Sequence, residues 1–214
     1  MTLTRFFCSF TLLIFTLALA ILGPASPGAC QEGPPPARQS AGISPDKWFR
    51  AVKTGDVKKI KEMIAAGFKI DHRNSKKQTA LHLAIESNQN AVAKLLLENK
   101  ASFKARDDRN CFPLIYCAIF NNAKAAELLL KAGAKVDDRG FVSQDGDAQS
   151  TALIFAAEMG SLETAKVLIK YGADVNAVNK FKRTPLFWAQ KAGKTEVARL
   201  LRANGATVKG KAKE

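Results

Sequence analysis

The feature that most constrains this chain is that it repeats itself. Ala84, in TALHLA at residues 79–84, serves as a marker. Ala51 in DKWFRA stands 33 residues before it, and Cys117 in FPLIYC stands 33 residues after it. A further 39 residues reach Ala156 in TALIFA, and another 33 reach Ala189 in TPLFWA. A second landmark keeps the same register: Gly67, Lys100, Gly133, Gly172 and Gly205 are spaced by 33, 33, 39 and 33 residues. A period of this length marks a stack of supersecondary units, each of which buries its apolar face only against its neighbours.

Each unit follows one grammar. A Thr-Pro or Thr-Ala pair opens a short helix, with Thr suited to capping it and Pro to its first position. Leu81, Leu114, Leu153 and Leu186 follow, each with a small residue three positions on (Ala84, Cys117, Ala156, Ala189) that lets neighbouring helices approach closely. After a polar break such as Ser87-Asn88 or Gly193-Lys194, a second helix is apolar on one face, as in Val92, Leu95, Leu96 and Leu97. Gly-Ala pairs at 133–134, 172–173 and 205–206 end it, where the chain must turn with a positive φ. A short extended arm with a polar tip leads to the next unit.

These residues resemble the ankyrin repeat, whose signature is T-P-L-H-x-A at this period. TALHLA, LLLENKA, KYGADVNA and TPLFWA carry the resemblance, which covers roughly residues 45–208. It implies an all-α solenoid of about five helix-turn-helix units with hairpin arms, at about 45–77, 78–111, 112–150, 151–183 and 184–208. It also implies a module that binds other proteins. The chain departs from the pattern in places. The signature His is present only as His82, with Ile115, Ile154 and Phe187 at its other positions. Phe112 replaces the capping Thr, at an expected cost of about 1 kcal/mol. Lys100 replaces a turn Gly. The first unit lacks the motif and carries Trp48, Phe49 and many cations, which suits a terminal cap with one wet face.

The segment before the repeats reads as a leader. Arg5 precedes an unbroken apolar or hydroxyl stretch over residues 6–22, and Gly23, Pro24, Pro27 and Gly28 then break any helix. Residues 1–29 are expected to form a signal peptide, and export suggests a bacterial periplasmic location. The 17 residues of this stretch also sit at the lower limit for spanning a bilayer, so an uncleaved anchor is the alternative. Cys30 follows Pro27, Gly28 and Ala29, an arrangement that resembles a lipoprotein box except that Pro27 stands where Leu is normal; it is a lipidation candidate. Residues 30–44, with Pro34, Pro35 and Pro36, read as an extended linker.

Sites of chemistry are sparse. No phosphate-binding glycine loop, nucleophile elbow or H-E-x-x-H motif occurs. The two histidines, His72 and His82, fall at an arm and in a core motif position, so no metal or cofactor is expected. Cys117 takes a small core position, and Cys111 falls at the start of a first helix near the concave side, with helix geometry opposing a bond between them. The pairs Asp107-Asp108, Asp137-Asp138 and Asp145-Asp147 read as solvated arm tips. No catalytic residue is assigned.

In this family, partner contacts come from arm tips and the concave ends of first helices. Transferring that register places Glu86, Ile119, Phe120, Met159 and Lys191 at those ends, and it implies exposure for both Ile119 and Phe120. An exposed apolar patch signals interaction, although the adjacent insertion could fold over it. That insertion puts six extra residues into the arm at 140–150, including Phe141; Phe181 lies at the next arm tip.

The net charge is +14, from 33 Lys/Arg against 19 Asp/Glu. It concentrates at the ends: +6 over residues 45–77 and +5 over 184–214, which includes the basic tail 209–214, against +2 over 78–183. Solvated caps account for this, with an anionic membrane surface as the alternative. No aromatic-basic platform for nucleic acid is present. The expected molecule is therefore a monomeric, non-enzymatic protein-binding module. The second reading is a structural or protective factor tethered to a membrane by the leader or by a lipid on Cys30.

Overall fold

The computed structural model describes residues 43–140 and 149–208. Residues 1–42, 141–148 and 209–214 lie outside it, and with them the leader, Cys30, Phe141 and the basic tail. The described chain is an all-α repeat solenoid. Its helices are α1 (Pro45–Thr54), α2 (Val57–Ala65), α3 (Ala80–Glu86), α4 (Asn90–Glu98), α5 (Pro113–Ile119), α6 (Ala123–Lys131), α7 (Ala152–Met159), α8 (Leu162–Lys170), α9 (Pro185–Lys191) and α10 (Thr195–Ala203). The odd-numbered helices pack on one another in sequence, the even-numbered ones form a second row, and each pair packs on itself. One apolar cluster runs the length of the stack, from Trp48 to Leu201. Ala84, Cys117, Ala156 and Ala189 are fully buried, which is what the close approach of neighbouring first helices requires.

The first unit does carry a cap pair, two residues ahead of the register. The Ser44 side chain accepts from Lys47 N–H at 3.3 Å and Pro45 takes the first turn, so α1 runs 10 residues against 7 or 8 in the other first helices. Trp48 is fully buried, with its ring centroid 4.9 Å from that of Phe68. The wet face of this unit is made instead by Lys47, Arg50 and Lys53, all exposed.

Lys100 sits at φ 65°, where Gly67, Gly133, Gly172 and Gly205 occupy the equivalent turns. A left-handed backbone strains a residue with a Cβ by about 1 kcal/mol or more. Lys100→Gly is expected to stabilise the domain by about 1 kcal/mol, read as a higher urea midpoint at unchanged slope. An unchanged or lower midpoint would show that the strain is relieved elsewhere.

The arms are turns rather than paired strands. Asn74, Asp107 and Asn179 occupy one register position, and each side-chain oxygen accepts from the backbone N–H groups two and four residues on, at 2.7–3.1 Å. The residue between, Lys77, Asn110 or Lys182, has φ of 54–61°. Side chains then tie arm to arm. Arg73 Nη1 donates to the Arg106 carbonyl at 2.9 Å, Arg106 Nη1 to the Arg139 carbonyl at 3.0 Å, and Arg139 Nη1 to the Val178 carbonyl.

The insertion is closed at its neck. Gly140 and Ser150 exchange both backbone hydrogen bonds, at 3.1 and 3.0 Å. A Cβ at Gly140 would stand 2.7 Å from the Asn110 carbonyl oxygen and 2.8 Å from Ile115 Cδ1, so this close approach demands glycine.

Candidate functional site

The first helices α3, α5, α7 and α9 place their C-terminal ends in one register. Phe120, just after α5, and Met159, the last residue of α7, are 44% and 45% exposed, and α5 packs against α7. Two large, partly exposed apolar side chains thus stand one unit apart, and the insertion expected as a possible cover lies outside the described residues. Glu86 and Lys191, at the same ends of α3 and α9, are exposed. Lys191 Nζ lies 4.9 Å over the Trp188 ring, which holds the ammonium on this face. Phe181, at the arm tip before α9, is 51% exposed. Ile119 differs from expectation. It is half-buried and packs against the core cluster, because the last turn of α5 directs it inward while Phe120 follows the helix end into solvent.

Phe120 is braced from beneath by a network that sequence reading missed. The Tyr116 ring lies 5.8 Å from that of Phe120, and on its other side meets His82 edge-on at 4.9 Å. The Tyr116 hydroxyl donates to Asp107 Oδ2 at 2.8 Å and accepts from Gln78 Nε2 at 2.9 Å. Gln78 Nε2 also reaches Glu86 Oε2 at 3.3 Å, and Arg109 Nη2 reaches the hydroxyl at 3.4 Å. Burial pushes the Tyr116 phenol up to about 12, so it remains a donor. The sequence signal was present: an acidic residue at the arm position held elsewhere by Asn74 and Asn179, with a Tyr nine residues on.

Asp107 is accordingly no solvated tip. It is buried, and besides Tyr116 it accepts from Cys111 N–H at 2.7 Å and Arg109 N–H at 3.0 Å. This offsets the missing cap at Phe112, which makes no side-chain hydrogen bond to α5. The turn entering the helix is fixed one residue earlier instead. Cys111 is likewise buried rather than near the concave surface, because its carbonyl turns inward to accept from His82 Nε2 at 3.2 Å. His82 Nδ1 accepts from Thr79 N–H at 3.2 Å, so a neutral ring satisfies both sides. Cys111 and Cys117 are free thiols, and burial pushes both up in pKa, Cys111 to about 12, which leaves no thiolate nucleophile. Among the described residues, no group of three or more His, Cys, Asp or Glu stands where it could hold a metal ion.

A family model described as ankyrin repeats (three copies) matches residues 48–140 and again 138–212. The chain belongs to the ankyrin-repeat family. Ankyrin repeats are generally protein-interaction modules, and the fold is generally non-enzymatic. Among similar proteins, the human transient receptor potential cation channel subfamily A member 1 is 26% identical over 167 residues, 74% of this chain and 14% of the channel subunit. Mouse inversin is 32% identical over 129 residues, 59% of this chain and 12% of inversin. Alpha-latrotoxin-Lg1a of Latrodectus geometricus is 31% identical over 123 residues, 58% of this chain and 9% of the toxin. This ankyrin-repeat protein thus spans between 9% and 14% of these relatives.

Proposed function

We propose that this ankyrin-repeat protein is an exported, non-enzymatic module that holds another protein against the concave side of its first helices. The observation that carries the reading is the exposure of Phe120 and Met159 on neighbouring helices, with Phe120 seated on the Tyr116 network. Large, pre-positioned apolar anchors supply most of the energy of many interfaces, because they leave water without losing much freedom. Glu86 and Lys191 flank the pair with opposite charges and set register on the partner, Ile119 supports it from the core side, and Phe181, at an arm tip, and Phe141, in the insertion, are further candidate contacts with the partner. The leader at residues 1–29 favours export, in a bacterium to the periplasm, and the molecule acts as a monomer. The length of the apolar stretch and the position of Cys30 favour the second reading, a membrane-tethered structural or protective factor. Mass spectrometry of the mature N-terminus separates the two: loss of residues 1–29 with an unmodified chain start excludes the tether.

Phe120→Asp combined with Met159→Asp is expected to reduce partner capture at least tenfold in pull-downs from the exporting compartment, with unchanged helical circular dichroism. Unaltered capture by the folded variant would overturn the assignment of the face.

A further inference from the structure

A side-chain rung recurs where one arm meets the next. Asp71 Oδ1 accepts from Ser102 N–H at 3.0 Å. Both carboxylate oxygens of Asp137 accept from Asp174 N–H at 3.2 Å, and Asn176 Oδ1 accepts from Thr207 N–H at 2.8 Å. Donors and acceptors keep the repeat register: residues 71, 104, 137 and 176 should serve 102, 135, 174 and 207. In the second arm that register falls on Lys104, which has no acceptor to offer. Among the described residues, nothing accepts from Lys135 N–H. At this place there is a cavity of about 130 Å³ lined by Phe103, Lys104, Arg106, Phe112, Ala134, Lys135 and Asp138. It is smaller than the roughly 300–1,000 Å³ of pockets for whole small molecules, so it suits one chemical group.

We propose that this gap between the second and third arms binds a carboxylate, which supplies the oxygen that Asp71, Asp137 and Asn176 supply at the other three junctions. One ligand oxygen takes Lys135 N–H, and the other faces the ammonium groups of Lys104 and Lys135. Neither lysine has a carboxylate partner within 4.0 Å among the described residues, and the Lys104 ammonium lies 5.9 Å over the Phe103 ring, so a ligand meets cations that lack a counter-ion there. Charge-assisted hydrogen bonds of this kind are the stronger class. Arg106 is committed to the carbonyls of Asn110 and Arg139 and to the Phe112 ring, 5.1 Å away, so it acts as a rigid positive wall. Among the described residues that line the cavity, Asp138 is the one opposing charge. The proposal does not rest on the reading of Phe120 and Met159, which lie at the far ends of the first helices from the arms.

The test is amide titration of the 15N-labelled full chain by NMR, with N-acetylaspartate N-methylamide in one arm and an acetylated, amidated Gly-Gly-Asp-Gly-Gly peptide in the other. A saturable shift of the Lys135 amide, without matching shifts at Ser102, Asp174 and Thr207, is expected. Tighter binding of the peptide makes the physiological donor a polypeptide side chain; equal binding makes it a free carboxylate. Lys104→Asp builds the rung internally and is expected to weaken either probe at least tenfold and to raise the melting temperature, while Asp138→Asn strengthens binding. Equal shifts at all four amides, no saturation, or undiminished binding by the folded Lys104→Asp variant would each overturn the proposal.

Discussion

Asp107→Ala destabilises the domain by about 3 kcal/mol, because it strands the buried Cys111 N–H and the Tyr116 hydroxyl at roughly 1–3 kcal/mol each. Cys111 lies just before α5 and Tyr116 within it, so the loss falls on the middle of the stack, where each unit depends on two neighbours. Asp107→Asn is the discriminating control. Asn74 and Asn179 already perform the backbone part of this role, so asparagine retains the turn and loses only the acceptor for Tyr116. Less than half of the alanine effect is expected for it. Urea unfolding measures both variants, and an alanine effect under about 0.5 kcal/mol, the range of ordinary surface changes, would remove Asp107 from the determinants of the fold.

The stack itself was legible in the sequence, since it rests on properties that read residue by residue: a small side chain wherever helices touch, a leucine beside it, a turn residue at a constant distance. Asp107 was not legible as a buried group. Its neighbours in sequence are charged, and only the return of Tyr116 from α5 encloses it. Ser44-Pro45 does not stand out as a cap in the sequence, because the first helix starts outside the common register. Ile119 and Phe120 look equivalent as adjacent apolar residues, but a helix end separates them, one facing the core and one facing water. The candidate face was therefore half visible: Phe120, Met159 and Phe181 by register alone, the support beneath Phe120 not at all.

His82 makes stability depend on pH in one window. Burial lowers its pKa from 6.5 to about 4. Between those values the unfolded chain binds a proton that the folded chain refuses, so stability falls as the pH drops through that window and is fully present above it. The loss attributable to this residue reaches about 3 kcal/mol near pH 4. His82→Ile, the residue already found at positions 115 and 154, is expected to flatten the stability profile over that range. Equal slopes for the two proteins, measured by urea unfolding from pH 4 to pH 7, would contradict the assignment to His82.

The pinch between Gly140 and Ser150 has a practical corollary. Gly140 and Ser150 meet there and Arg139 ties the neck onward to the Val178 carbonyl, so the bonds that close the neck are made by residues on either side of the inserted segment. Segment length and composition at that port become free variables. Epitopes, affinity tags or fluorophore-bearing peptides can be grafted into it, which turns the chain into a display scaffold whose cargo is chosen independently of its architecture.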